Sequence, residues 1–314
     1  MSSRILVLGG AHLDRRGQIQ GRTVTAASNP GTFREDVGGG AFNLARNLAL
    51  LGHQVELVSP RGGDDAGEKV TAAARAAGIK DRPFVFLDRA TPSYTAILEQ
   101  DGNLVIALAD MDLYRLFTPR RLKTRSLRNA IEAADFIVCD ANLPDETLTA
   151  LAATALEKAI PLAAIAISPA KVGRFRDSLP NLTYLFMNAA EAKALVEHDT
   201  VHVHDLPQKL RALGLKGGII TQGSDEIAAF SSEQTFTMTP PGSIDIVDVT
   251  GAGDALAAGV LDAVLAGAPL PQALHNGIAA SRITLSSPHA VAPEFNREQL
   301  RREAEYVATV VSIS

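Results

Sequence analysis

Short apolar or β-branched runs alternate with longer Ala/Leu-rich stretches of helical period along most of this chain, and that alternation leaves few folds open. Strands that are apolar on both faces, with segments long enough for crossover helices between them, specify βα units and a parallel sheet covered on both sides. Strands are expected over 4–8, 54–59, 136–140, 162–167, 184–187 and 218–221, and helices over 40–51, 66–77, 145–158, 189–196, 206–213, 252–266, 271–285 and 297–311. Two segments, about 15–37 and 84–108, break the pattern. In the second, Ser93 to Glu99 and Asn103 to Leu108 flank Gln100-Asp-Gly102, which reads as a hairpin turned at Asp-Gly. Strands inserted beside an early glycine-rich turn point to a small β lid over the site, or to a dimer contact. No linker, repeat or low-complexity tract divides the chain, so residues 1–314 are expected to form a single α/β domain with that lid.

Composition narrows the partners. With 314 residues, 46% of them hydrophobic, the chain can bury a large core. The net charge of -5 comes with no basic stripe and few aromatic residues, which argues against nucleic acid. The apolar run near the start is too short for a signal peptide, and no segment reaches the roughly 18 apolar residues of a membrane span. A soluble cytoplasmic protein is expected. The single cysteine, Cys139, lies in the strand-like run Asp135-Phe-Ile-Val-Cys139 and is expected in the core.

The segment richest in chemistry is Asp248-Val-Thr-Gly-Ala-Gly-Asp254, between an Ile/Val-rich run and an Ala/Leu-rich helix. A helix start offers free amides and the positive end of the dipole, and Gly251, Ala252 and Gly253 leave an anion room to approach. Asp254 at its edge suits a general base. Earlier, Gly38-Gly-Gly-Ala-Phe-Asn43 opens a helix that Gly52 can stop. Taken alone, this is as readily a flexible turn. Neither it nor Gly9-Gly-Ala-His-Leu-Asp14 fits the dinucleotide fingerprint, and no phosphate-binding G-x-x-x-x-G-K-S/T occurs.

Asp14 directly follows the first strand, so a parallel sheet would place it at the carboxyl end, where such folds bind ligands. The bland alternative is a turn residue, and for His12 a packed neutral histidine. Asn188-Ala-Ala-Glu191 sets two polar side chains on one face of a starting helix. Glu191 could reach magnesium through water, while a capping box explains the same pair. Thr221-Gln-Gly-Ser-Asp225 is a turn or a nucleotide-contacting loop. His202 and His204 alternate without a third ligand nearby, which disfavours a metal.

In their order along the chain, the double glycine with its helix, Asn-x-x-Glu and the terminal D-x-T-G-A-G-D resemble the ribokinase or PfkB family of carbohydrate and nucleoside kinases. The likeness covers nearly the whole chain. Ser28-Asn29-Pro-Gly31, the Gly39 to Gly52 segment, Asp110-Met-Asp112 and the 168–179 stretch are most similar to the pseudouridine kinases of that family. The resemblance implies a ribokinase-like fold and ATP-dependent phosphorylation, here of the 5′-hydroxyl of a C-nucleoside. It implies Asp254 as base, with the amides of Gly251, Ala252 and Gly253 around the transferring phosphoryl group. Asp14, Gly39, Gly40 and Asn43 would hold ribose hydroxyls, with His12 and Asn29 on the substrate side. Asn188 and Glu191 match positions for Mg2+ and phosphates, and Thr221, Gly223 and Asn276 match nucleotide contacts. Asp248 and Thr250 match a monovalent-cation site for K+ in potassium-activated members. A homodimer through the lid is a further family expectation. The alternatives are another sugar or nucleoside kinase of the family, or an inactive ligand-binding relative.

Several positions depart from the family pattern. Ile165-Ala166 and Phe186-Met187 stand where Asp-Pro and Lys-Pro are common, His12 where ribokinases carry Asn, and Glu226 where glycine is usual. These changes bear on phosphate positioning and acceptor choice, and leave the base and the anion-binding turn intact.

Overall fold

The computed structural model describes residues 2–198, 200–242 and 244–310. Its main sheet has nine strands, in the order Thr235–Met238, Ile227–Phe230, Gly218–Thr221, Tyr184–Asn188, Leu162–Ile165, Phe136–Asp140, Arg4–Leu8, Gln54–Val58 and Lys80–Asp81. Pairing is parallel from Gly218–Thr221 to Lys80–Asp81, and the two strands at the other edge are antiparallel. The six expected strands and eight expected helices are all present, with ends differing by a residue or two. The last helix is Arg297–Val310, and the expected position 311 lies outside the described residues.

Alternation within a strand explains the two-sided core. Ile5 and Val7 face Phe42, Leu48, Val260 and Ile278 in one fully buried cluster. Leu6 and Leu8 face the other way, into Leu127, Ile131, Leu151 and Phe175. Such strands bury both faces only when helices cover both sides of the sheet. Cys139 is buried in the second cluster, and burial pushes its thiol far above the ordinary range. It is a core residue.

The first strand has Phe136–Asp140 on one side and Gln54–Val58 on the other, so the chain winds outward from it in both directions. This is a topological switch point, and the crevice beyond the strand ends there is the standing ligand site of open α/β sheets.

A second sheet has four strands, in the order Gly31–Gly38, His12–Ile19, Ser93–Leu98 and Leu104–Asp110. The hairpin between the last two turns at Asp101-Gly102: Gly102 takes φ 89°, and the Glu99 amide donates to the Asn103 carbonyl at 2.8 Å. Phe84–Phe86 lies elsewhere, paired with Pro60–Gly62. The pattern did not reveal the Ile227–Phe230 and Thr235–Met238 edge strands, or the helix Arg125–Ala133. The strands are four residues each, and that helix buries only Leu127, Ala130 and Ile131.

Candidate active site

A cleft of about 840 Å³ opens at the carboxyl ends of the main strands, with the second sheet on one side. Among its lining residues are His12, Asp14, Gly39, Gly40, Asn188, Glu191, Thr221, Thr250, Gly253 and Asp254, which the chain supplies from five separate segments.

Asp254 sits in the first turn of the helix Ala252–Leu265. Gly251 is the N-cap, in left-handed conformation at φ 80°, and a Cβ there would collide with the Ala290 carbonyl oxygen. Only glycine fits. The first intrahelical bond runs from the Ala255 amide to the Gly251 carbonyl at 2.9 Å, so the amides ahead of it have no acceptor within the helix. Ala252 turns its amide to the Val249 carbonyl at 3.4 Å, while Gly253 and Asp254, the next two residues, both line the cleft.

Burial pushes the Asp254 carboxyl up to about 7, and the nearby charges of Asp140 and Glu191 push the same way. The Asn43 amide, donating at 2.9 Å, and the Arg46 guanidinium oppose the rise. Arg46 in turn donates to the Asn43 oxygen at 2.7 Å, so a short relay fixes the amide that holds the carboxylate. The resemblance implies Asn43 on a substrate hydroxyl; here its amide donor is engaged by the Asp254 carboxyl and holds that group in place.

The three glycines at the start of the helix Gly40–Leu50 each answer to a neighbour. At Gly38 a side chain would strike the Asp14 carboxylate, and at Gly39, with φ 108°, it would strike the Gly10 carbonyl. At Gly40 it would meet Ile167, with an Asp254 oxygen just behind at 3.4 Å. Ile167 itself has φ 69°, a costly conformation for a β-branched residue, and it lies in the cleft wall.

Asp140 was missed at the sequence level. It is fully buried at the switch point and accepts from the amides of Gly10 (2.9 Å), Ala41 (3.1 Å) and Asn142 (2.9 Å) and from the Asn142 side chain (3.0 Å). Thus one carboxylate ties the end of the first strand to the start of the helix Gly40–Leu50. Asn142 then accepts from the Lys171 ammonium at 2.7 Å, in the cleft wall. Burial lowers the Lys171 pKa, against the pull of Asp140. The available signal was position alone: Asp140 ends a predicted strand, and Ala141-Asn142 follow it at the carboxyl edge of the sheet.

On the side of the second sheet, His12 lies between the buried Tyr114 hydroxyl, 3.0 Å from Nδ1, and an Asp14 oxygen, 3.4 Å from Nε2. Asn188 and Glu191 form a complete capping box, the Glu191 amide donating to Asn188 at 2.9 Å and the Asn188 amide to Glu191 at 2.7 Å. Both still line the cleft, so cap and site coincide. Burial raises the Glu191 pKa. Thr221 is paired in register with Asn188 on the adjacent strand.

Three expected residues stand apart. Asn29 stitches its own loop, bonding Val24 at 2.8 and 2.9 Å and the Ala27 carbonyl at 3.1 Å, and is absent from the cleft lining. Gly223 makes the turn after its strand at φ 60°, also off the lining. Asn276 faces a separate depression between the last three helices. Asp248 and Thr250, expected around a monovalent cation, are both engaged by Arg16 from the second sheet. Ile165 and Phe186 present apolar wall where the family often carries Asp and Lys. Glu226 pairs with His204 at 3.3 Å.

Among the described residues, no group of three or more His, Cys, Asp and Glu is placed to hold a metal ion, and no helix is long and apolar enough to cross a membrane.

Comparison with known proteins agrees with this geometry. The chain is 26% identical over 296 residues to the pseudouridine kinase of Escherichia coli, covering 93% of each protein. A carbohydrate kinase structure from Agrobacterium tumefaciens superposes with a TM-score of 0.91 at 52% identity, covering 99% of this chain and 100% of that one. The ribokinase of Arabidopsis thaliana, solved with ribose and ATP, matches the fold with a TM-score of 0.84 at 19% identity, over 97% of this chain and 99% of that one. The fold is ribokinase-like, and the model of the pfkB family carbohydrate kinases matches residues 3–296. That match settles the assignment: the chain belongs to the PfkB family of carbohydrate kinases.

Proposed function

We propose that this kinase transfers the terminal phosphoryl group of Mg·ATP to the 5′-hydroxyl of pseudouridine. The observation that carries the chemistry is Asp254, lifted to about 7 and held by Asn43 beside the free amides of a helix start. A base with a pKa near the working pH combines a useful ionised fraction with useful basicity. In the step, the acceptor oxygen bonds to the γ-phosphorus, the bond to the β–γ bridging oxygen breaks, ADP leaves and the hydroxyl proton passes to Asp254. Charge spread over the transferring group meets the Gly253 and Asp254 amides and the Lys171 ammonium, the kind of fixed electrostatics that phosphoryl transfer demands.

Asp14, steadied by His12, takes ribose hydroxyls over the room left by Gly39 and Gly40. Thr221 and Asn188 lie on the nucleotide side. Magnesium keeps most of its waters and travels with the nucleotide phosphates, so one half-satisfied carboxylate such as Glu191 suffices to orient it through water. The lid sheet lowers water access during transfer.

The acceptor assignment rests on the likeness to the pseudouridine kinase and on the four stretches most similar to that subgroup. An ATP-consumption screen over pseudouridine, uridine, adenosine, ribose, fructose and 2-keto-3-deoxygluconate tests it. Pseudouridine should give the highest kcat/KM; a different preferred acceptor replaces it, and no turnover on any favours a binding protein.

We also infer a homodimer through the lid, in an ATP-rich cytoplasmic setting. Phe33, Ile106 and Leu108 are 67%, 65% and 71% exposed and share the sheet face of Ile97 and Gly17. Apolar faces of this kind mark contact surfaces. Light scattering should return twice the chain mass, and Ile106→Glu should return the monomer.

A further inference from the structure

Arg16 is on the strand His12–Ile19 of the lid sheet, paired with Arg34 and Ala96 on its neighbours. Its guanidinium crosses to the loop before the catalytic helix. There Nη1 donates to an Asp248 oxygen at 3.0 Å and Nη2 donates to the Thr250 hydroxyl at 2.9 Å. The other Asp248 oxygen accepts from the Thr250 amide at 2.8 Å and from its hydroxyl at 2.7 Å. Both carboxylate oxygens and the hydroxyl therefore have partners, and the single negative charge faces a single positive one. Burial alone would raise the Asp248 carboxyl, yet Thr250 and the guanidinium outweigh it and hold it below its ordinary value.

Asp248 and Thr250 are the positions at which the resemblance implies part of a monovalent-cation site in potassium-activated members. They do not fit it. A second positive charge here would have to displace hydrogen bonds already made, and would lie against the guanidinium in a partly buried notch. Arg16 also lines the main cleft, so the pair closes the seam between lid and anion-binding turn. We propose that the Arg16 guanidinium takes the place of a monovalent cation in this chain, latching the lid sheet to the Asp248–Thr250 loop and making phosphoryl transfer independent of potassium.

The inference rests on the kinase reading of the site but not on the acceptor, and its test has two arms. The first is melting, which needs no acceptor. The wild type should melt at the same temperature in KCl and in choline chloride of equal ionic strength, about 100 mM. Arg16→Met should melt lower in choline and recover specifically in KCl. The second is turnover on whichever acceptor the screen identifies. Wild-type rates with and without potassium should agree within about twofold. Arg16→Met should lose about tenfold without potassium, the size expected for one hydrogen-bonded charge pair that is partly exposed, and regain most of it with KCl or guanidinium. Arg16→Lys, which keeps the charge, guards against a simple folding defect: it should lose less and stay indifferent to potassium. Potassium activation of the wild type above about threefold, a full rate for Arg16→Met in choline, or a loss that neither cation restores would overturn the proposal. If no acceptor is turned over, the kinase reading fails by itself and the melting arm still decides the latch.

Discussion

Asp254→Asn separates the chemistry of the site from its cost to the fold. Moving a carboxyl from 3.8 to about 7 makes its ionisation about 4 kcal/mol costlier in the folded chain than in the unfolded one. The sign follows from the proton. A raised acid binds its proton more tightly when folded, so stability falls as pH rises from about 4 to about 7 and the full cost stands above that. Asparagine carries no such cost, and its oxygen can still accept from Asn43. The ceiling on the gain is about 4 kcal/mol at pH 8 and between about 1 and 2 at pH 5. Because the site opens to the cleft and can relax, about 1–2 kcal/mol at pH 8 is the working expectation, or a few degrees in Tm for a chain of this size. Turnover should fall by about 10²–10⁴, the span of a lost general base. Melting curves of both proteins at pH 5 and 8, with steady-state rates at pH 8, make the test. Equal Tm differences at the two pH values would refute the raised carboxyl, and near wild-type turnover would refute the base.

Three other substitutions probe the surroundings of that carboxylate. Asn43→Ala removes the 2.9 Å bond that holds the Asp254 carboxyl down, so the acid limb of the kcat/KM profile should move to higher pH by about half a unit or more; an unmoved limb sinks the relay. Asp14→Ala should lower kcat/KM for the acceptor about 100-fold and leave KM for ATP within about twofold, which steady-state kinetics with each substrate varied will show; equal losses on both substrates would remove Asp14 from the acceptor side. Gly251→Ala forces a side chain into a left-handed N-cap and against the Ala290 carbonyl, so it should cost about 3 kcal/mol or more in urea unfolding, and a wild-type midpoint would show that the loop yields freely.

The layered fold was legible because both faces of the strands are buried, so hydrophobic runs and helical periods were written plainly into the sequence. Strands such as Ile5 to Leu8 can satisfy alternate residues only between two helix layers. The edge strands were hidden because four residues, such as Ile227-Ala-Ala-Phe230, carry too little period to tell strand from helix. Glycine spacing announces the helix start at which Gly251 caps and Asp254 occupies the first turn. Asn276 illustrates the opposite case, since a position in a helix does not say which face it occupies until the packing of Gly259 and Gly277 sets the rotation. Asn29 was indistinguishable from a ligand contact because loop-closing and ligand-binding amides look alike in sequence. Arg16 could not be foreseen: its partners are more than 230 residues away.

Asp140 shows why the legible and hidden parts of the site depend on each other. Its carboxylate is saturated by N–H donors from the Gly10 turn, the Ala41 amide and Asn142, so as a structural element it fixes where the first strand hands over to the Gly40 helix. That same helix carries Asn43 to Asp254. The charge of Asp140 also contributes to the elevation of the Asp254 carboxyl. A neutral residue of the same shape at 140 would thus loosen the turn and lower the pKa of the base together, and the two effects oppose each other at pH 8: the first destabilises, while the second reduces the cost of ionising Asp254. The switch point of the sheet therefore does more than offer a crevice. It buries one carboxylate among amides as scaffold, close to a second that accepts from Asn43 and whose carboxyl burial raises to about 7.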